Sequence, residues 1–191
     1  MYTRSTYLIF ISLILFSGSV VSVTAQETTS GYQPARRLKI EHVKNLYEID
    51  SGVYRSAQPS KRGLHALKEA GIVEILNLRR DKNKDSIRSR AGTFMLHQVP
   101  LKASNIDEQK VMEALRIIKN RQGPIVIHCL AGSDRTGLIA AMYRVVFNNW
   151  SKEAAIRELE KGGFGFHKRF DEVPEFIRKA NIDSIRQQIG E

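Results

Sequence analysis

The only cysteine of this 191-residue chain lies in the run His128-Cys129-Leu130-Ala131-Gly132-Ser133-Asp134-Arg135-Thr136-Gly137. A thiol is a poor nucleophile until it loses its proton. A free one titrates near ~8.5, and helix N-termini or nearby cations lower that to about 3.5–7.5. The apolar Pro124-Ile125-Val126-Ile127 leads in and the helix-forming Leu138 to Phe147 leads out, so the run reads as strand, tight loop and helix start. A helix beginning near Arg135 would point unpaired N–H groups back into the loop, and its dipole favours negative charge there. Leu130, Ala131, Gly132, Ser133 and Asp134 can curl so that their backbone N–H groups converge on one anion. Gly132 suits the awkward backbone angle such a curl needs. Arg135 adds a planar fork matched to two phosphate oxygens, which lysine could not reproduce. Thr136 can donate its hydroxyl to a departing sulfur, and His128 can hold the loop through its ring nitrogens. The arrangement suits attack of the Cys129 sulfur on a phosphate ester. The plain alternative is a buried structural cysteine before an ordinary helix, since free cysteine packs as a small hydrophobe.

Taken together, His128-Cys129, five intervening residues and Arg135-Thr136-Gly137 resemble the signature of the cysteine-dependent protein tyrosine and dual-specificity phosphatases. The nucleotide-binding phosphate loop is a different motif and requires a lysine that is missing here. Val53-Tyr54-Arg55-Ser56-Ala57-Gln58-Pro59-Ser60 and Ile75-Leu76-Asn77-Leu78-Arg79 are similar to strands of small bacterial and compact atypical members of that family. The similarity covers most of residues 45–148. Arg55 and Arg79 read equally well as surface residues or as ligands.

The resemblance implies a two-step reaction. Cys129 thiolate attacks phosphorus to give a phosphocysteine, and water then hydrolyses it. The loop N–H groups and Arg135 would hold the equatorial oxygens, with no metal and no cofactor. The leaving oxygen needs a proton, and here the chain departs from the family pattern: Lys102, Ala103 and Ser104 occupy the usual place of the acid. Asp107 is the first candidate and equally reads as a helix-start residue. Asp134 is the second, and equally reads as a loop-stabilising acceptor. A charged carboxylate there also opposes thiolate formation. A third reading has no protein acid and a preference for good leaving groups.

Composition bounds the setting. Met1 to Ala25 has one charge, Arg4, an apolar middle from Tyr7 to Phe16, and Val23-Thr24-Ala25 before Gln26. That is the design of a secretory signal cleaved near Ala25, with an uncleaved membrane anchor as the alternative. The expected organisation is a signal at 1–25, a flexible leader at 26–44 and a catalytic domain at 45–191. The address would be the bacterial periplasm or the exterior. A lone cysteine has no disulfide partner, so in an exported chain a reactive thiol is to be suspected. The formal charge is +10, or +9 once Arg4 is removed. Such a surface attracts a phosphorylated anionic substrate and suits contact with an anionic membrane surface. Nucleic acid is not expected, for want of basic–aromatic interleaving or a recognised motif. Arg79, Arg80, Lys82, Lys84, Arg88 and Arg90 read as a substrate-gathering rim or as a solvated loop.

The elements that must position the cysteine are short. Strands are expected at Leu46–Ile49, Val53–Ala57, Ile72–Leu78 and Thr93–Val99, besides the strand before Cys129. Ser60 should cap a helix to about Ala70, and Ser104 or Asn105 one from Ile106 to Asn120. After the signature helix, Ser151 should cap another to Glu160. A last helical region runs from Asp171 to Gln188, irregular near Pro174. Strands alternating with helices imply a single α/β domain, a central, mostly parallel sheet of four or five strands flanked by helices.

Overall fold

In a computed structural model, which describes residues 32–80 and 94–191, the apolar run before Cys129 becomes the strand at the heart of the sheet. Six strands form in the order β1-β2-β3-β6-β4-β5. Their ranges are Arg36–Arg37 (β1), Tyr47–Asp50 (β2), Val53–Ser56 (β3), Glu74–Asn77 (β4), Met95–Gln98 (β5) and Ile125–His128 (β6). Every residue of β6 is buried, as expected for a strand covered on both faces. β3 and β4 flank β6 in parallel, and β5 continues the parallel set beyond β4. β1 and β2 add an antiparallel edge.

Alternation along the strands divides the core. Val126 and Ile75 face a smaller cluster with Leu64 and Leu67 of helix α1, Lys61–Glu69. Ile125, Ile127 and Leu76 face the larger cluster. That cluster is covered by α2 (Glu108–Lys119), α3 (Asp134–Phe147), α4 (Lys152–Lys161), α5 (Glu172–Lys179) and α6 (Ile182–Ile189). Helix α3 is buried nearly all round, from Thr136 to Val146. Its buried charge, Arg144, is held by two hydrogen bonds of 3.0 Å to Glu158 on α4.

Several boundaries follow the expected chemistry. Ser60 accepts from Gly63 N–H and Ser151 from Ala154 N–H, each capping the helix that follows. Others correct the sequence reading. The sheet has six strands rather than four or five. The cap of α2 is Asp107, which accepts from the N–H groups of Gln109 and Lys110, and not Ser104 or Asn105. The C-terminal region is two helices, and the break falls at Ala180-Asn181, where Asn181 caps α6. Pro174 sits in the first turn of α5, where a missing N–H costs no intrahelical bond.

The chain ahead of the expected domain start also has structure. β1 pairs with β2 at Arg36↔Glu48, and the Arg36 guanidinium pairs with the Glu48 carboxylate. Tyr32 packs against Trp150 with ring centroids 4.8 Å apart, and Ala35 N–H donates to Glu158 at 2.7 Å. Residues 32–44, read from sequence as leader, thus share the contacts of the domain. The expected signal at 1–25 and the basic residues Lys82, Lys84, Arg88 and Arg90 lie outside the described residues.

Candidate active site

β3, β6 and β4 end at one level, because Ser56 and Asn77 both register with His128. The segments that leave these ends meet at the carboxyl edge of the parallel strands, the usual place for a ligand in such sheets. There a cleft is lined by Cys129, Leu130, Ala131, Asp134 and Arg135 from the signature loop. Arg80 and Leu101 to Ser104 line it from the segments after β4 and β5, and His167, Arg169 and Phe170 from the loop between α4 and α5.

The orientation of the signature loop is set by what holds its carbonyl oxygens. The Leu130 oxygen accepts from Gln58 N–H at 3.0 Å. The Ala131 oxygen accepts from Asn45 Nδ2 at 2.9 Å. The Gly132 and Ser133 oxygens take Arg55 Nη2 at 2.8 and 3.4 Å. The Cys129 oxygen lies 3.0 Å from His128 Nδ1. In a trans peptide the N–H points opposite to the C=O. Tying carbonyls outward along the loop therefore turns the N–H groups of Leu130, Ala131, Gly132, Ser133 and Asp134 inward, as a nest for an anion. Gly132 carries φ +76°, and a Cβ there would stand 2.5 Å from Ser56 O and 2.6 Å from Ala57 N. Only glycine fits. Ser133, which precedes α3, makes no side-chain cap; its hydroxyl donates to Phe164 O at 2.8 Å instead. The first N–H groups of α3 thus stay available to an anion. Gly137 is needed for packing: its Cβ would meet Leu159 Cδ1 at 2.4 Å, where α3 and α4 approach.

Cys129 is only 2 % exposed at the floor of this nest. Burial pushes its thiol up. The Thr136 hydroxyl and N–H, the Arg135 guanidinium and the Gly132 N–H pull it down, and the net effect lies below the ordinary thiol value. The Thr136 hydroxyl is buried with no oxygen or nitrogen partner among the described residues, which leaves its proton to the sulfur. This is the environment of a reactive thiol, not of an inert core cysteine.

The two carboxylate candidates are placed apart. Asp107 is exposed, its oxygen occupied by the N–H groups of α2, and it lines a neighbouring cleft with Arg80, Lys102 and Lys110. Its helix-start reading is the one its contacts describe. Asp134 lines the cysteine cleft, yet both its oxygens lie 3.0 Å from His167 Nδ1, and Oδ1 also accepts His167 N–H at 3.0 Å.

Two residues carry more than sequence reasoning gave them. Arg55 is buried to 1 % exposure, not a surface residue, and its guanidinium stacks 3.8 Å from the Phe164 ring centroid. Burial lowers it to about 10, while the Glu158 and Cys129 charges pull the other way, so it stays cationic at neutral pH. The strand period of two, which puts Arg55 on the same face as Val53, is its only signal in the sequence. His167 had none, since the loop that brings it to Asp134 is joined to the site only by long-range contacts. Arg79 Nη1 donates to Gln58 Oε1, which places it beside the segment that holds Leu130 O.

Comparison with known proteins agrees with this geometry. A family model described as a polymorphic toxin system DSP-PTPase phosphatase matches residues 49–149. The chain is 32 % identical over 166 residues to the dual specificity protein phosphatase TpbA of Pseudomonas aeruginosa (strain UCBPP-PA14), covering 85 % of this chain and 74 % of that one. It is 26 % identical over 151 residues to the inositol diphosphatase DSP3 of Arabidopsis thaliana, covering 75 % and 73 %. A crystal structure of P. aeruginosa TpbA in complex with pTyr superposes with a TM-score of 0.73 at 28 % identity, over 86 % of this chain and 99 % of the other. By its signature loop, its sheet and these relatives, the chain belongs to the cysteine-dependent dual-specificity phosphatases and is a phosphatase acting on a phosphorylated anionic substrate.

Proposed function

We propose that the chain removes phosphate from tyrosyl side chains of proteins by way of a phosphocysteine on Cys129. The observation that carries the proposal is the nest itself, with carbonyls tied outward from Cys129 to Ser133 over a thiol of lowered pKa. In the first step the Cys129 sulfur attacks phosphorus in line. The N–H groups of Leu130 to Asp134 and the fork of Arg135 hold the equatorial oxygens, where preorganised donors stabilise the developing charge. In the second step water attacks phosphorus and the sulfur departs, eased by the Thr136 hydroxyl. His128 keeps the loop in place through Cys129 O. Phe170 and Leu130, the latter 58 % exposed, supply apolar walls for an aromatic ring beside the sulfur. The TpbA relative and its pTyr complex support this substrate class.

A second reading is favoured by charge. Arg80, Lys102, Arg135 and Arg169 all reach the cleft, and Lys110 joins Arg80 and Lys102 in the adjoining one. A polyphosphorylated inositol would satisfy these cations, in keeping with the inositol diphosphatase relative. Catalytic efficiency on a phosphotyrosyl peptide, a phosphoseryl peptide and an inositol pyrophosphate separates the readings. The first expects the phosphotyrosyl peptide to lead. Faster turnover of the inositol pyrophosphate, lost in Arg80→Glu/Lys102→Glu, would replace it with the second.

Export is part of the proposal, supported by the charged start, apolar middle and small residues ending at Ala25. N-terminal sequencing of the chain expressed in a bacterium is expected to begin at Gln26. A mature chain that begins at Met1 contradicts cleavage.

A further inference from the structure

The leaving oxygen must take a proton from somewhere, and neither carboxylate candidate stands unengaged in the cysteine cleft. Asp107 gives Oδ1 to the cap of α2 and lines the neighbouring cleft instead. Asp134 spends both oxygens on His167.

Resting on the phosphocysteine reading above, we propose that His167 is the catalytic acid and Asp134 its positioning residue. An ionised carboxylate only accepts hydrogen bonds. His167 Nδ1, 3.0 Å from both Asp134 oxygens, therefore carries a proton, and Nε2 is the nitrogen that gives and takes the second one. The ring is fixed from several sides. Its own backbone N–H donates to Asp134 at 3.0 Å, its carbonyl accepts from Phe170 N–H at 3.0 Å, and its edge meets the Phe170 ring at 87° with centroids 6.4 Å apart. It lines the same cleft as Cys129 and Arg135, and its side chain is half-exposed there. Arg80, Lys102, Arg135 and Arg169 face that cleft too. Among the described residues that line the cleft, Asp134 is the one carboxylate, and it is in direct contact with the ring. The pair also resolves the objection to a carboxylate inside the loop, because its charge is directed to an imidazolium.

The steps balance. The Cys129 thiolate forms a bond to phosphorus as the bond from phosphorus to the leaving oxygen breaks, and that oxygen takes the Nε2 proton. Neutral His167 then takes a proton from water as the water oxygen attacks phosphorus. The sulfur leaves as thiolate and inorganic phosphate is released.

General acid catalysis contributes most where the leaving group is poor. The test measures kcat/KM on phenyl phosphate and on 2,4-dinitrophenyl phosphate for the wild type, His167→Asn, Asp134→Asn and Asp107→Asn. His167→Asn is expected to lose about 10²-fold on phenyl phosphate and less than about 3-fold on the dinitrophenyl ester. Asp134→Asn is expected to show the same selectivity with a smaller loss, as an amide in place of an orienting carboxylate favours the wrong tautomer. Asp107→Asn should match the wild type on both. A uniform loss in His167→Asn, or no loss, or selectivity appearing in Asp107→Asn instead, overturns the proposal. The burst of dinitrophenolate keeps this separate from the nucleophile. A burst in His167→Asn shows Cys129 still working, whereas no turnover by the wild type would remove the phosphatase reading itself.

Discussion

Cys129→Ser is expected to abolish turnover while leaving oxyanion binding nearly unchanged. The substitution exchanges a sulfur whose charge is stabilised by Thr136, Arg135 and Gly132 N–H for a hydroxyl that ionises many units higher. Loss of a nucleophile that acts as one unit with its surroundings costs at least about 10⁴-fold in kcat. The rest of the cradle depends on other atoms. The carbonyls of Leu130, Ala131 and Gly132 remain tied by Gln58, Asn45 and Arg55, so the inward N–H groups keep their aim. Arg135 keeps its fork. Hydrolysis of an aryl phosphate and calorimetric binding of inorganic phosphate check the two halves. Activity should be undetectable, with phosphate affinity within about tenfold of the wild type. Wild-type activity in this variant would mean that the sulfur is not the nucleophile.

Arg55→Leu is expected to damage catalysis far more than folding. Its guanidinium is buried without a carboxylate in hydrogen-bonding contact among the described residues, so its desolvation is a cost the variant escapes. Against this, Gly132 O loses its donor, while Ser133 O keeps the Gly137 N–H at 2.9 Å. The orphaned Gly132 carbonyl costs about 1–3 kcal/mol. Loss of the cation over Phe164 adds about 1–2 kcal/mol. These opposing effects leave a net destabilisation of about 1–2 kcal/mol, a few degrees in Tm. The catalytic loss is larger because the peptide between Gly132 and Ser133 is then free to turn, and because a cation that stabilises the thiolate is gone. A loss of about 10²-fold in kcat is expected, comparable to removing one oxyanion donor. Arg55→Lys should recover little, since a point charge cannot reproduce the fork. A Leu variant with normal kcat would show that Asn45, Gln58 and Ser133 hold the loop without it.

The parts of this protein that could be read from sequence are those fixed by local rules. Ile125-Val126-Ile127 is too apolar to be anything but a covered element, and Ser60 and Ser151 cap as their side chains predict. The candidate nucleophile, the guanidinium and the mid-loop glycine are legible from residue types, spacing and the strand-to-helix context together, because one short loop holds them all. What escaped depends on contacts distant in the chain. β1 is two exposed arginines with no alternation, held by Glu48 on the partner strand. Asn45, which ties Ala131 O and Phe164 O, sits at φ 54° in a turn that the sequence does not advertise. Sequence spacing points to Asp107 and Asp134 as the acid. The histidine instead arrives from a loop, 38 residues beyond the cysteine, joined to the site by Asp134 and by Phe164 O.

The most direct measurement is a rapid acid quench of the wild-type chain during turnover, followed by mass mapping of the peptide that contains Cys129. The account predicts one phosphate on the Cys129 sulfur, formed in a burst and absent from Cys129→Ser. Multiple turnovers of a phosphate ester with no phosphate ever found on that peptide, or with phosphate on another residue, would contradict it.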